Sequence, residues 1–191
     1  MKTIYFLTNI AEKFNDAKFI LSRHGIAAVR ADDDLTEKRS HEIREVAAEK
    51  ARQAFAQVKR PVIAEDSGLF IRILNGFPGA FHADVIKAIG IDGILKLMDG
   101  KEDRAAELRS ALAYFDGKNL SIFDFTIKGK IAGEIQLAKN FGFGGIESIF
   151  IPEYHSKAIG QMPKKEFDEY RNELLERSHF KKLGEWLGMK Q

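Results

Sequence analysis

The first 64 residues alternate between short apolar runs and longer amphipathic stretches, and this alternation restricts the fold more than any other feature of the chain. Three runs have the length and composition of buried strands: 3–7, 26–30 and 61–64. The stretches between them predict two helices, one from about Lys13 to His24 and one that extends to about Val58 with Ser40 as its N-cap. This order predicts an α/β domain with a partly parallel sheet.

The second half of the chain shows a different period. Residues 106–115 and 120–127 alternate with a period of two around an Asp116-Gly117 turn, which predicts an antiparallel β-hairpin. The remaining segments read as two helical pieces broken near Gly90, a short strand and a terminal amphipathic helix: 84–89, 92–98, 148–151 and 164–187. We therefore predict one α/β domain over residues 1–191, with a mixed twisted sheet, flanking helices and an antiparallel hairpin extension.

Composition and charge exclude several classes of function. Charged residues make up 30% of the 191 residues but nearly cancel at +2, and they form no basic tail or patch. The absence of cysteine excludes disulfides, thiolate metal sites and cysteine nucleophiles. No stretch approaches the roughly 20 apolar residues that span a bilayer, and the first apolar run is too short for a signal peptide. We expect a soluble, cytoplasmic protein that binds neither nucleic acid nor membrane.

An acidic pair, Glu65-Asp66, follows the third apolar run and leads into Ser67-Gly68. Ligands of α/β sheets bind at the carboxyl ends of strands, which is where this pair is expected. Mg²⁺ is usually held by one or two carboxylates together with substrate phosphates. The pair therefore predicts metal-assisted chemistry on a phosphate compound, and the alternative is that either acid caps the following turn.

Two further segments carry groups that suit a phosphate ligand. The turn after the first strand offers Thr8, Asn9 and Lys13 beside the free N–H groups of a helix N-terminus. The alternative for Thr8 or Asn9 is a helix cap. The second predicted helix carries three glutamates near its polar side, and periodicity does not separate them: Glu42, Glu45 and Glu49.

A glycine-rich segment, residues 142–148, precedes the strand predicted near residue 150. Phe143 is available there to stack on a planar ligand, although the segment is equally compatible with an ordinary loop. The five histidines lack metal-binding spacing such as HExxH, and the chain contains neither a P-loop nor GxGxxG. Zinc hydrolase, Walker-type NTPase and Rossmann functions therefore lack support.

Taken in order, these segments resemble the inosine triphosphate pyrophosphatase family, whose members act on non-canonical purine nucleoside triphosphates. The family's marks include a T-x-N-x-x-K turn, an E-x-A-x-x-K-A helix, and E/D-D-S-G-L followed by G-x-P-G. The strongest match is 64–81, and the second is 45–51, which singles out Glu45 from its helical neighbours. The likeness extends through nearly the whole chain.

The resemblance implies a fold of two lobes around a central cleft, a homodimer, and Mg²⁺-dependent hydrolysis of ITP, dITP and XTP to the nucleoside monophosphate and pyrophosphate. It implies that Glu45 and Asp66 hold the metal and that Asp66 is also the catalytic proton acceptor. Four residues would contact the triphosphate: Thr8, Asn9, Lys13 and Ser67.

The match weakens where the family recognises the base. The family also carries a loop motif, G-Y-D-P-I-F, and in this chain Ile146 and Glu147 replace its tyrosine and aspartate. In the first turn, Ile10 occupies the place of the asparagine of T-x-N-x-x-K. The K-N-x-x-S-H-R element before the last helix fits either 171–177, which we prefer because it retains Asn and the final Arg, or 178–180, which retains Ser-His. The candidate base-side residues are Gly145, Glu147, Arg171, Arg177 and His179.

These departures predict weaker or redirected base discrimination. They also leave two alternatives to the pyrophosphatase, namely a catalytically weak nucleotide-binding or regulatory homologue and a Maf-like nucleotide pyrophosphatase.

Overall fold

A computed structural model of the chain describes residues 2–31, 39–136 and 145–189. The strands in these residues are β1 (Lys2–Leu7), β2 (Ile26–Ala31), β3 (Val62–Ile71), β4 (Pro78–Gly79), β5 (Ala105–Phe115), β6 (Leu120–Ile131) and β7 (Phe150–Pro152). The helices are α1 (Ala11–Ser22), α2 (Ile43–Val58), α3 (His82–Leu97), α4 (Lys164–Arg177) and α5 (His179–Met189). None of the described helices has the length and apolarity needed to cross a membrane.

The strands form one mixed sheet in the order β2-β1-β3-β5-β6-β7, with β4 paired to β3. β1 lies parallel to both β2 and β3, with Tyr5 opposite Val29 on one side and Val62 on the other. β4 and β7 pair antiparallel with β3 and β6. This arrangement, with helices flanking the sheet, confirms the predicted α/β class, including its hairpin of β5 and β6.

The chain divides into two compact units, which agrees with the two lobes implied by the resemblance. The first unit comprises Met1–Asp66, Ser110–Phe125 and Asn172–Gln191. Its core is formed by apolar side chains of β1, α1 and α5 that bury one face of each helix. Its largest fully buried members are Phe6, Ile4, Ile20, Leu21, Ile63 and Leu112.

The second unit comprises Ser67–Arg109 and Thr126–Arg171 and has its own core, which includes Leu69, Ile94 and Phe150. Arg104 fixes this unit by donating to the carbonyls of Met98, Ile131 and Ala132, at 3.1, 2.8 and 2.5 Å. α3 contains a break at Gly90 with φ of +69°, as the sequence predicts.

The acidic pair differs from its prediction in one respect. β3 does not end at Ala64 but continues to Ile71, so Glu65 and Asp66 lie inside the strand and neither caps a turn. The strand continues because Leu69 and Phe70 pair with β4. Gly68 permits this pairing, since a Cβ there would lie 2.5 Å from the carbonyl oxygen of Gly79.

Three other element boundaries also differ. Ser40 is not the N-cap of α2, which begins at Ile43; its hydroxyl instead accepts the N–H of Glu42 at 3.1 Å. Residues 146–148 form a 3-10 turn, so β7 begins only at Phe150. The predicted terminal helix is two helices, α4 and α5, that separate at Ser178.

Candidate active site

The carboxyl ends of β1 and β2 lie side by side, because the two strands are parallel and in register up to Leu7 and Ala31. The turn after β1 begins with Thr8, which is buried. Its N–H donates to the carbonyl of Ala31 at 3.4 Å, and its hydroxyl accepts the N–H of Ile10 at 3.1 Å. Thr8 therefore organises the turn rather than capping α1, whose N-cap is Ile10 without a side-chain bond. Asn9 is exposed on the same turn.

Lys13, Glu65 and His179 form a cluster in the first unit. Lys13 Nζ lies 3.3 Å from Glu65 Oε1, and His179 Nε2 lies 3.5 Å from the same oxygen. The side chains of Glu65 and His179 are 7% and 4% exposed. Three elements supply the cluster: the first turn of α1, the middle of β3 and the first residue of α5.

In this cluster the buried carboxylate of Glu65 lies beside the cation of Lys13 and the ring of His179. Burial alone raises the pKa of Glu65, but the charge of Lys13 and the contact with His179 outweigh it and lower that pKa from 4.5 to about 2. Within the described part of the chain, Glu65 Oε2 and both ring nitrogens of His179 are buried without a directed hydrogen bond. Buried polar atoms of this kind usually have a partner, so they indicate a place where a ligand, ion or water binds.

Lys50 and Asp66 form another charged contact of the first unit. Lys50 Nζ lies 3.3 Å from Asp66 Oδ1, and the two side chains are 8% and 15% exposed. Lys50 projects from the buried face of α2, in line with Ile43, Val46 and Ala47. Asp66 therefore has a lysine counter-charge while part of its carboxylate remains accessible.

Glu45 lies in the first turn of α2, where its Oε2 accepts the hydroxyl hydrogen of Ser40 at 3.1 Å. No group of three or more His, Cys, Asp or Glu side chains in the described ranges is placed to hold a metal ion. Glu45 and Asp66 nevertheless supply hard carboxylate oxygens, and Mg²⁺ needs only one or two of these when waters and substrate phosphates complete its shell. The chemistry of these oxygens suits Mg²⁺, and their meeting at one ion stays a prediction.

Gly145 and Glu147 belong to the second unit and bind each other. Gly145 has φ of +92°, and its N–H donates to Glu147 Oε2 at 2.9 Å. Ser148 Oγ donates to the carbonyl of Gly145 at 2.6 Å, and Glu147 is buried. One oxygen of the candidate base-side acid is therefore engaged by its own turn. Phe143, the candidate stacking residue, lies outside the described residues.

Comparison with known proteins gives this arrangement a family. The model of the Ham1 family matches residues 4–175. The chain belongs to the Ham1 family. It is 41% identical to a dITP/XTP pyrophosphatase of Methanopyrus kandleri over 93% of this chain and 94% of that protein, and 34% identical to one of Thermococcus kodakarensis over 95% of each. These matches confirm the resemblance inferred from the sequence.

Solved structures of the family show the same fold. The Ham1 protein of Staphylococcus aureus superposes with a TM-score of 0.80 over 100% of both chains, at 25% identity. A HAM1 protein of Coxiella burnetii gives a TM-score of 0.77 at 23% identity, over 99% of this chain and 98% of that one.

The break between α4 and α5 bears on the two placements of the K-N-x-x-S-H-R element. The preferred segment, Arg171–Arg177, lies within α4, whereas Ser178 and His179 stand directly before and at the start of the last helix. Arg177 is exposed and contacts Glu173 at 3.3 Å, and Arg171 belongs to the second unit. The element's position before the last helix therefore favours the second placement, because only His179 joins the buried cluster.

The sequence did not single out two charged residues of the site. Lys50 interrupts an apolar helical stripe of Ile43, Ala47 and Ala54, and a charge on such a stripe is a signal of a buried partner. In the sequence, Glu65 stands out only as part of the acidic pair. Its burial depends on α5, which lies far away in sequence, so no local pattern reveals it.

Ser67 follows Asp66 on β3 as the first residue of the second unit, and it is half-buried. Its position after the acidic pair is consistent with its predicted contact with the triphosphate, which stays a prediction.

Proposed function

We propose that this chain is a nucleoside triphosphate pyrophosphatase that hydrolyses non-canonical purine nucleotides such as dITP and XTP to the monophosphate and pyrophosphate. The observation that carries the proposal is the contact of Lys50 with Asp66, a carboxylate inside β3 that retains partial exposure. Its relatives named dITP/XTP pyrophosphatase cover almost the whole chain, which supports the same substrate class.

Asp66 is the proposed proton acceptor for the attacking water. A positioned carboxylate can orient and deprotonate water, and Lys50 compensates the charge of this one before substrate arrives. Glu45 and Asp66 would hold Mg²⁺, which when bound neutralises phosphate charge and polarises the bond that breaks. Thr8, Asn9, Lys13 and Ser67 would bind the triphosphate oxygens.

On the base side we propose His179 as the principal polar contact. Its ring is buried, and neither ring nitrogen makes a directed hydrogen bond to the described residues. Gly145 and Glu147, in the second unit, stay predicted base-side residues. The placement on 171–177 assigned Arg171 and Arg177 to the base. That assignment has less support, because Arg177 is exposed and pairs with Glu173.

The remaining features implied by the resemblance complete the proposal. They are a single pyrophosphatase-like domain over residues 1–191, a homodimer, Mg²⁺ as cofactor and a location in the cytoplasm. A nucleotide-binding homologue with little turnover is the rival that the altered base motif suggests.

The deciding experiment measures pyrophosphate and orthophosphate release from ITP, XTP, dITP, GTP and ATP, with Mg²⁺ and with EDTA. We expect pyrophosphate as the product, ITP or XTP as the preferred substrate, and loss of turnover in EDTA. Nucleotide binding without release of either product would favour the rival. Release of orthophosphate instead of pyrophosphate would contradict the proposed reaction.

A further inference from the structure

Arg30 lies next to the turn that carries Thr8. It is the penultimate residue of β2, opposite Phe6 of β1, so its backbone is close to the carboxyl end of both strands. Its Nε donates to the carbonyl oxygen of Thr8 at 3.0 Å. A cationic side chain therefore binds the main chain of the turn where the triphosphate is expected.

Among the described residues, most of the hydrogen-bonding capacity of Arg30 is unused. A guanidinium has five N–H donors, and only the Nε donor is engaged by Thr8. Its side chain donates no other hydrogen bond and forms no ion pair with residues 2–31, 39–136 or 145–189. Ile10, in the same turn, is 39% exposed and carries no polar side-chain atom. Arg30 therefore offers hydrogen-bond donors at a turn where the side chain of Ile10 has no donor.

The charge of the site also calls for another cation. Lys13 and Lys50 each contact a carboxylate, Glu65 and Asp66, so these four groups sum to no net charge. A triphosphate carries several negative charges, and the bound metal compensates only part of them. Arg30 is a cation of the same unit that contacts no described carboxylate.

We propose that Arg30 is a phosphate-contacting residue of this active site. Its Nε holds the Thr8 carbonyl, and its remaining donors bind non-bridging oxygens of the triphosphate. Arginine suits this role because its planar group keeps one donor on the protein while two others form paired bonds to a phosphate. The inference rests on the proposed function and adds to it a cation that the sequence motifs do not include.

Three variants test the contact. Arg30→Gln removes the charge, Arg30→Lys retains it, and Arg60→Gln is the matched control, an exposed arginine just before the amino end of β3, away from the turn. The measurements are KM and kcat for XTP, and the Kd of inorganic tripolyphosphate with Mg²⁺ by titration calorimetry. Thermal unfolding of each variant verifies that the fold is retained.

We expect Arg30→Gln to raise the KM for XTP and the Kd for tripolyphosphate by about 10-fold or more, the usual effect of losing a charge-assisted hydrogen bond. kcat should stay within about 3-fold, since a contact made equally in ground and transition states changes KM alone. Arg30→Lys should recover part of both losses, because lysine retains the charge but not the paired bonds. Arg60→Gln should match the unmodified protein.

Unchanged KM and Kd in Arg30→Gln would overturn the inference. Equal losses in Arg30→Gln and Arg30→Lys would also overturn it, because they would leave Arg30 only its bond to the Thr8 carbonyl. The calorimetric measurement separates this inference from the proposed function. A protein that releases no pyrophosphate from any nucleotide would refute the function, while tripolyphosphate binding would still report on Arg30.

Discussion

The carboxylates of the first unit's site and the carboxylate in the polar turn of the second unit have different kinds of partner. In the first unit Glu65 and Asp66 contact lysines from α1 and α2, helices that lie outside their own strand. In the second unit Glu147 binds the N–H of Gly145, two residues away in its own turn. A carboxylate held by a cation from another element can exchange that partner for a metal or a phosphate. A carboxylate that closes its own turn loses a structural bond if it does so.

This difference predicts which carboxylates act in catalysis and which stabilise the local structure. Side chains of the first group should affect turnover, and where they are buried they should also affect stability. Side chains of the second group should affect folding with little effect on chemistry. Substitutions at four positions test the contrast, from the largest expected effect to the smallest.

The largest effect is expected for Asp66→Asn. Asparagine keeps the size of the side chain but removes both the proton acceptor and a metal-binding oxygen, so kcat should fall at least about 10²- to 10⁴-fold. The matched control is Asp99→Asn, an exposed aspartate in the turn after α3. Pyrophosphate release under saturating XTP provides the measurement. Turnover equal to that of the unmodified protein would remove Asp66 from the mechanism. The two units would then no longer differ in holding a catalytic or a structural carboxylate.

A double-mutant cycle on Lys50 and Asp66 gives the next largest effect. Lys50→Met leaves a largely buried carboxylate without its counter-charge, a change that typically costs about 3–5 kcal/mol of unfolding free energy when the pair is fully buried. Because Asp66 is 15% exposed, we expect a value at the lower end. The double variant with Asp66→Asn should recover about 1–3 kcal/mol relative to additivity.

Urea denaturation of the four proteins measures this coupling. Lys87→Met, an exposed lysine of α3, serves as the control and should change stability by less than about 0.5 kcal/mol. Strict additivity of the two single changes would mean that the 3.3 Å contact contributes nothing.

Lys13→Ala should weaken substrate binding and also lower stability. An exposed lysine at a helix start usually contributes little to stability. Lys13, however, contacts Glu65, whose pKa falls from 4.5 to about 2. A carboxylate with a depressed folded-state pKa stabilises the fold fully above its unfolded pKa and loses that effect as the pH falls toward the folded value. The difference in Tm between the unmodified protein and Lys13→Ala should therefore shrink as the pH falls from 4.5 toward 2.

Thermal unfolding in EDTA from pH 7 to pH 2.5 tests this dependence, with Lys18→Ala, an exposed lysine of α1, as the control. A Tm difference that is independent of pH would show that the Lys13 contact does not stabilise the Glu65 anion. An unchanged KM for XTP in Lys13→Ala would also remove this residue from the phosphate turn.

What the sequence alone predicts also depends on whether a feature involves residues close together in the chain or contacts between distant elements. Local periodicity predicted the strands, the break at Gly90 and the hairpin, because each depends on residues close together in the chain. It did not predict the separation of α4 and α5 at Ser178, since their amphipathic patterns read as one. It also did not bring His179 to Glu65, because that contact is made only when α5 packs against the sheet. Motif spacing predicted Asp66 as a site residue, and this role stays a prediction. The burial of Lys50 became visible only in the structure.

A similar distinction applies to Glu176, which takes the histidine position of K-N-x-x-S-H-R when that element is placed on 171–177. Lys181 lies 2.8 Å from it and Arg23 contacts its other oxygen, and together they lower the pKa of this exposed group to about 2. Glu176 is therefore an ion-pair member on the surface of the first unit. This engagement favours His179 as the residue that reaches the base.

The smallest effect is expected for Glu147→Gln. Glutamine retains an oxygen that can accept the N–H of Gly145, so the free energy of unfolding should change by less than about 1 kcal/mol. Glu147→Ala removes that acceptor from a buried site and should cost about 1–3 kcal/mol. If the carboxylate only closes its turn, the ratio of kcat/KM for XTP to that for ATP should differ by less than about 3-fold between Glu147→Gln and the unmodified protein. A change of about 10-fold or more would mean that the negative charge of Glu147 reads the base. Both units would then hold carboxylates that act on the substrate. A hydrogen bond within a carboxylate's own turn would no longer distinguish a structural carboxylate from a functional one.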